Sequence, residues 1–412
     1  MLYSELFGKT IKLDPKDEIS KNAKLLIKAG FIDKLMAGSY TLLPLGLKVI
    51  KKIEEIIRSE MNKINAQEVL MPLLHPKNIW NETGRWESAK DIMYQLKKNE
   101  KEYALSFTHE EVVLDLIRKH VFSYKDFPVK IYHFSTKFRN ELRVKSGILR
   151  GREFVMKDLY SAHLNEEDLE DYYWKVAKSY QKIFKELDLN SKIVEAGGGV
   201  FTDNITHEFQ VLCDRGEDTI FYCDKCDFAQ NKEISKIKGN DSCPKCKGLI
   251  KTSNATEVGN IFKFGASYSK KMNVSVLDKD GKKQFIHLAS YGIGLTRLIG
   301  TIVETHNDEK GIVWPKNTSH FDIHLIDVPS ENSKISELTY DIYNELIRNN
   351  VDVLYDDRTQ IGIGEKFKDC DLIGIPVRLV ISDKTDGKIE YKERNKNETI
   401  LLSKDELFKK LT

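Results

Sequence analysis

"VKIYHFSTKFRNELRVKSGILRGREFVMKDLYSAH", residues 129–163, decides the fold of this chain. Val129 to Arg139 is rich in β-branched and aromatic residues and reads as a strand. Asn140 to Gly151 is polar and reads as a loop, and Arg152 to Leu159 reads as a second strand. Together they predict an antiparallel hairpin with a long basic loop. Arg139, Arg143, Arg150 and Arg152 fall within fourteen positions, with Lys137, Lys145 and Lys157 close by. A run of charge is ordinarily a solvated loop. Here the arginines also stand at strand ends and alternate with Glu141, Glu153, Phe138 and Phe154. That mixture suits a nucleotide: guanidinium forks for phosphate, a ring to stack on the base, and an acid for a base amine or a water.

Working outward, "FIHLASYGIGLTRLIGTIVETH" predicts a strand, a turn at Gly292 and Gly294, and a helix carrying Arg297. A dinucleotide-binding loop would need a third glycine where this chain has Arg297, so a Rossmann site is disfavoured. Upstream, Leu47, Ile50, Ile53, Ile57, Met61 and Ile64 recur at helical spacing. That helix feeds a short apolar run, Val69 to Leu74, which reads as an edge strand because Pro72 interrupts it. In "LSFTHEEVVLDLIRKHV", Thr108 and Glu111 fit a capping box opening a helix. A long amphipathic helix is expected near Glu166 to Leu187, capped by Asn165. From Phe321 strands and helices alternate, which predicts a separate small α/β domain.

Cys223, Cys226, Cys243 and Cys246 read C-x2-C-x16-C-x2-C and hold four of the six cysteines. Each C-x2-C can aim two thiolates at one tetrahedral ion, at zinc-ribbon spacing. Four sulfurs would fill the coordination sphere, so the metal expected is a structural Zn2+. The alternative is a pair of unmetallated or redox-active thiol turns. Cys213 and Cys370 read as small buried hydrophobes. With 41% apolar and 31% charged residues the composition is that of a globular protein, and no run is apolar enough for a membrane span. The N-terminal stretch lacks the pattern of a secretory signal, so a cytoplasmic location with reduced thiols is expected. The formal charge is only +2, so a nucleic-acid partner would need a local basic surface.

These motifs carry a resemblance. "FRNE" with "LRGREF", and "GIGLTR", are similar to the second and third motifs of class II aminoacyl-tRNA synthetases, and Gly46 to Pro72 resembles the first. "FTHEE", "THEFQ", "EVGNIF" and "YSAH" resemble bacterial-type prolyl-tRNA synthetases within that class. "LYDDRTQIGIGEKFKDCDLIGIP" resembles their anticodon-binding domain. The resemblance implies an α+β catalytic domain, an antiparallel sheet flanked by helices, followed by an α/β anticodon-binding domain. The expected division is 1–222 and 251–316 for the catalytic domain, 223–250 for a four-cysteine insertion, and 317–412 for the anticodon-binding domain.

The activity implied is activation of L-proline by ATP and transfer of proline to tRNA(Pro). The resemblance makes Arg139 and Arg297 the catalytic pair, with Arg139 bridging the proline carboxylate and the α-phosphate. It assigns ATP to Arg139, Glu141, Arg150, Arg152, Phe154, Gln210, Gly294 and Arg297, with Mg2+ held by Gln210 or neighbouring polar groups. Proline falls to Thr108, Glu110, Arg139, His163, His207, Phe209, Ser290 and Gly292. Asp357, Arg358, Glu365 and Lys366 would help contact the anticodon. A homodimer is implied as well. Many bacterial members carry an editing domain after a "FAQN"-like stretch, where this chain has only "KEISKIKGNDS" before Cys243. No deacylation of alanyl-tRNA(Pro) is therefore expected in cis, which leaves that task to a separate deacylase acting in trans. Ser290 and Ser106–Phe107 also depart from the common pattern. A threonyl- or glycyl-type synthetase, or an inactive tRNA-binding paralogue, would share the motifs and remains the alternative.

Overall fold

The computed structural model describes residues 1–411 except 17, 143, 145, 200, 203, 331, 332 and 386. Arg143 and Lys145 of the basic loop lie outside the described residues. The chain divides into two compact units, residues 37–39 with 54–301, and residues 1–36, 40–53 and 302–412. Residues 223–250 thus fall inside the first unit, and 302–316 fall with the C-terminal one.

The first unit is built on a nine-stranded sheet, counted among the described residues. Its centre is the expected hairpin. Val129–Phe138 pairs antiparallel with Glu153–His163, from Val129 opposite Ala162 to Phe138 opposite Glu153. The second strand runs on past Leu159 because its far end is covered. Glu153–His163 also pairs with His287–Gly294, which pairs with the long strand Ile250–Gly265. Two corrections follow. Gly292 lies inside the strand His287–Gly294, so the turn expected at both glycines is absent there, and the helix Leu295–Thr305 begins directly after Gly294. The edge strand after the helix Pro44–Lys63 is Gln67–Glu68, parallel to Ile131 and Tyr132, and not residues 69–74. Pro72 has no N–H to offer a ladder, which ends pairing early.

Side chains alternate across a strand, and this sorts the sheet into two faces. The odd face is covered by the helix Glu166–Glu186, capped by Asn165 accepting from the Asp168 N–H at 2.8 Å. It buries Leu169, Tyr172, Tyr173, Val176, Tyr180, Ile183 and Phe184, a helical stripe. Each such buried side chain contributes about 1.5–3 kcal/mol. On the even face, Tyr160, Ala162, Phe262 and Phe264 pack under Val113, Leu114 and Ile117 of the helix Glu110–His120. That helix covers only one end of the face. Phe154, Met156 and Asp158, further along the same strand, are left to line cavities. In the helix Pro44–Lys63 and its continuation, Ile50, Ile53, Ile57, Met61 and Ile64 are buried, but Leu47 is 48% exposed.

The C-terminal unit carries the alternating strands and helices expected. Val353–Asp356, Ile323–Asp327 and Val377–Ile381 are parallel, in that order. The helices Ser333–Arg348 and Ile363–Ile373 make the crossovers. An antiparallel pair, Ile389–Glu393 and Thr399–Leu402, and a last helix Lys404–Leu411 complete it. No helix among the described residues is long and apolar enough to cross a membrane.

Candidate active site

Two cavities open on the even face and share a wall. The larger, about 340 Å³, is lined by Arg139, Glu141, Arg150, Phe154, Glu208, Glu257, Gly294 and Arg297, among others, and by the loop Gly197–Gly199. The smaller, about 20 Å³, is lined by Thr108, Glu110, Asp158, Tyr160, Ser290 and Gly292. Arg139, Met156, Phe201, Asn260, Phe262 and Gly292 belong to both.

Arg139 leaves the hairpin strand at its end, so its side chain reaches the shared wall. Among the described residues its guanidinium donates to the Phe107 carbonyl at 3.4 Å and to the Met156 sulfur at 3.9 Å. It lies 5.3 Å over the Phe154 ring and 5.9 Å over that of Phe201. Burial disfavours its charge, and Asp158 is the first group that offsets this. No carboxylate among the described residues forms an ion pair with it. An arginine in a protein does not shed its proton, so this half-buried guanidinium is poised for an incoming anion. The other arginines are held. Arg150 pairs with Glu141 and Glu217, each at 2.9 Å. Arg297 pairs with Glu257 at 2.9 Å and donates to the Leu149 carbonyl at 2.8 Å. Arg152 donates to the carbonyls of Glu141 and Ala37 and lies outside the cavity lining.

An acidic group faces these cations. Glu208 is pushed up to about 8 by burial and by Glu257, against the hydrogen bond from Gln210. Gln210 is itself buried, donating to Glu208 and Asp218 at 2.8 Å each. It stands behind the cavity wall, and its Oε1 has no hydrogen-bond partner among the described residues.

In the small cavity the Thr108 hydroxyl donates to Glu110 Oε2 at 2.7 Å. The capping box expected at Thr108 and Glu111 is absent: the N-cap position is His109, and no side chain caps there. Glu111 is drawn elsewhere. It accepts from Thr83 at 2.7 Å and from Arg85 at 3.1 Å. The same Arg85 nitrogen binds Glu110 at 3.0 Å. Nothing within "NETGRWES", residues 81–88, marks Arg85 as a buried cation. Two adjacent acids at the start of a buried helix were the available sign that a cation must be near.

Strand parity separates the remaining expected residues. Ser290 and Gly292 face the small cavity; a Cβ at Gly292 would stand 2.9 Å from Met156 and 3.0 Å from Asn260. His163, His207 and Phe209 lie on the opposite face. His163 is bonded to Asp168 at 2.7 Å and Ser161 at 2.9 Å, and His207 to Tyr173 at 2.7 Å. Phe209 packs on Tyr180 and Phe184. In the C-terminal unit, Arg358 is tied to Asp356 and Asp369 at 2.7 and 2.9 Å. Lys366 is buried, donating to the Asp327 and Asp356 carbonyls. Asp357 accepts from Ser4, and Glu365 pairs with Lys12 at 3.0 Å.

Residues 93–306 match the tRNA synthetase class II core domain (G, H, P, S and T), and 323–412 match an anticodon binding domain. The proline–tRNA ligase of Wolbachia sp. subsp. Drosophila simulans is 40% identical, over 96% of this chain and 95% of its own. The chain belongs to the proline–tRNA ligase family. It thus has a class II synthetase core and a C-terminal anticodon-binding domain. Another proline–tRNA ligase, from Sulfurihydrogenibium sp., is 33% identical over 96% of each chain, in an alignment of 543 positions. That exceeds this chain of 412 residues, whereas the Wolbachia alignment spans 408, so proline–tRNA ligases include longer and shorter forms and this is a shorter one. The fold is shared with the Giardia lamblia prolyl-tRNA synthetase in complex with prolyl-adenylate, with a TM-score of 0.77 at 18% identity. That match covers 92% of this chain and 73% of the other.

Proposed function

We infer that this chain activates L-proline with ATP, giving prolyl-adenylate and pyrophosphate, and then esterifies the 3′ end of tRNA(Pro) with proline. The observation that carries this reading is Arg139, a half-buried guanidinium that no carboxylate among the described residues pairs with, in the wall shared by the two cavities. In the first step the proline carboxylate oxygen attacks the α-phosphorus and the bond to pyrophosphate breaks. Two anions must meet, so charge and alignment matter more than a base. Arg139 lies where it can hold both. Arg150 and Arg297 would take the outer phosphates, exchanging carboxylates for phosphate oxygens. Phe154 offers its face to the base and Glu141 its edge. Thr108 and Glu110 would receive the ring ammonium.

Glu208 and Glu257, with Asp218 and Gln210 behind, present the hard oxygen donors that suit Mg2+. Burial first, and then the crowding of these acids, raises Glu208 to about 8, and a divalent cation would relieve the crowding. When bound, Mg2+ neutralises phosphate charge. The four cysteines fit Zn2+. Cys223 and Cys246 sulfurs lie 3.5 Å apart and those of Cys226 and Cys243 3.6 Å, against about 3.8 Å for the edge of a tetrahedron with Zn–S of about 2.3 Å. The sulfurs are far softer donors than the cleft acids, so the two sites select different metals. The cysteine segment connects to the cleft through Glu233, which accepts from the Gly197 N–H at 2.8 Å. A homodimer in the cytoplasm, tRNA contacts through Asp357, Arg358, Glu365 and Lys366, and a separate deacylase acting in trans complete the proposal.

Exchange of labelled pyrophosphate into ATP, measured across all twenty amino acids, tests the reading. Exchange should depend on proline. Dependence on another amino acid alone would overturn the substrate, and silence with zinc-replete folded protein would overturn the activity. Purified protein should not deacylate alanyl-tRNA(Pro); rapid release of alanine would refute the absence of editing.

A further inference from the structure

Behind the small cavity lies a polar cluster that the activation chemistry leaves unused. Lys137 is wholly buried on the strand Val129–Phe138. Its ammonium reaches Asp158 Oδ2 at 2.5 Å, His109 Nδ1 at 2.6 Å and His133 Nε2 at 3.2 Å. Of its three N–H donors, two face the histidine nitrogens, and Asp158 Oδ2 sits against the ammonium as an ion pair. His109 Nε2 faces the Pro72 carbonyl at 3.0 Å, which makes it the donor and leaves Nδ1 to accept. His109, His133 and Asp158 have the mutual spacing of a metal-ligand set. The Lys137 ammonium occupies the centre of that set, so it already supplies the cation.

The cluster serves one carboxylate that lines the small cavity. Asp158 directs Oδ2 inward, to Lys137 and to His133 at 3.5 Å. Its other oxygen, Oδ1, lies 3.7 Å from where a Cβ on Gly292 would stand, on the cavity side. Glu110 is arranged in the same way: Thr108 and Arg85 both take its Oε2. Each carboxylate is thus anchored by one oxygen, and Glu110 and Asp158 line the same cavity. Burial opposes the charge of Asp158, yet Lys137 and His133 hold it well below the usual carboxylate range. The histidines are kept neutral by burial and by the Lys137 charge.

A secondary ammonium in a ring has two N–H donors, and a primary one has three. We propose that Asp158 is the second carboxylate of the amino-acid pocket, taking one ring N–H while Glu110 takes the other, and that Lys137, with His109 and His133, is its positioning group. The proposal rests on reading the small cavity as the proline pocket. It adds a source of specificity: two anchored carboxylates match two donors and provide no third partner for a primary amine. Lys137 acts only through Asp158 and does not touch the substrate.

Asp158→Asn keeps the size of the side chain and removes its charge. Its KM for proline in pyrophosphate exchange should rise about 10- to 100-fold, the worth of one charge-assisted hydrogen bond, with the KM for ATP unchanged. Tetrahydrofuran-2-carboxylate, with oxygen in place of the ring ammonium, should inhibit wild type and variant equally. Lys137→Met should reproduce the proline defect, and the double variant should be no worse than Asp158→Asn. Equal loss of proline and of the oxygen analogue would reveal a packing role and overturn the proposal, as would an unchanged KM. If Lys137→Met does not fold, Asp158→Asn with the analogue decides alone. Wild-type exchange that ignores proline would instead refute the reading of the pocket itself.

Discussion

Replacing Arg85 with Met should cost more stability than its place in the four-residue helix Arg85–Ser88 suggests, and the cost should depend on pH. One guanidinium nitrogen serves Glu110 and both oxygens of Glu111, at 3.0 to 3.1 Å. The group is enclosed by the rings of Trp80, Phe107, Phe201 and Tyr268, at 4.8 to 5.5 Å. Methionine fills much of that volume but carries no charge. Two buried carboxylates would then face each other, and breaking a buried pair in this way costs about 3–5 kcal/mol. One acid can escape by taking up a proton. Glu111 is the candidate, because burial already raises its pKa against the pull of Arg85. In the variant, folded Glu111 then keeps a proton that the unfolded chain has lost. Stability must fall as pH rises, by up to about 1.4 kcal/mol per unit. Urea unfolding at pH 6 and pH 8 measures this directly. The deficit against wild type should be larger at pH 8, and adding Glu111→Gln should recover most of it. A deficit equal at both pH values, or one that Glu111→Gln leaves untouched, would refute the electrostatic account and leave only lost packing.

Arg139→Ala should lower kcat/KM for proline activation by about 10²- to 10³-fold, as the loss of a transition-state donor does, while tRNA binding measured by filter retention persists. Lys157 is buried beside the Tyr180 hydroxyl and the Met61 sulfur, and burial holds its pKa far below the ordinary value. Wild type therefore loses stability as pH falls from the unfolded lysine value, because the unfolded chain binds the proton that the folded one refuses. Lys157→Met should raise stability by about 1–3 kcal/mol, with a growing advantage at lower pH, as read by denaturant titration. Atomic absorption should find zinc bound to the wild-type chain and lost from Cys243→Ser; a zinc-replete wild type without metal would dismiss the site.

The sequence made part of this arrangement legible for a local reason. Arg139, Arg150 and Phe154 flank a single hairpin, and its two strands announce themselves by residue type. Thr108 and Glu110 are neighbours at a helix start. What stayed hidden depends on which face a strand presents and on partners far along the chain. His207 and Phe209 precede a β-bulge between Phe209 and Gln210, and only the sheet shows that they face the long helix. The hidden cations share a different cause. Lys137 reads as one lysine in a basic run, and its contacts come from Asp158, on the paired strand, and His109, at the start of the helix Glu110–His120. Glu111 had the spacing of a cap, but an arginine twenty-six positions earlier claims it.

The cysteine segment begins and ends on one rung of the sheet, since Cys223 and Ile250 are cross-strand partners. Near its far end Asn240 donates to the Ile250 carbonyl at 2.8 Å, so the chain leaves and returns at nearly the same place. A guest sequence spliced between Lys236 and Asn240, both exposed, would loosen Ile237 from the cysteine cluster and Lys238 from Asp241 but leave the sheet rung paired. Closing a loop twice as long costs only about 0.6 kcal/mol more. The segment is in effect a splice port. A reporter protein with closely spaced termini could be carried there while the sheet behind it keeps its register.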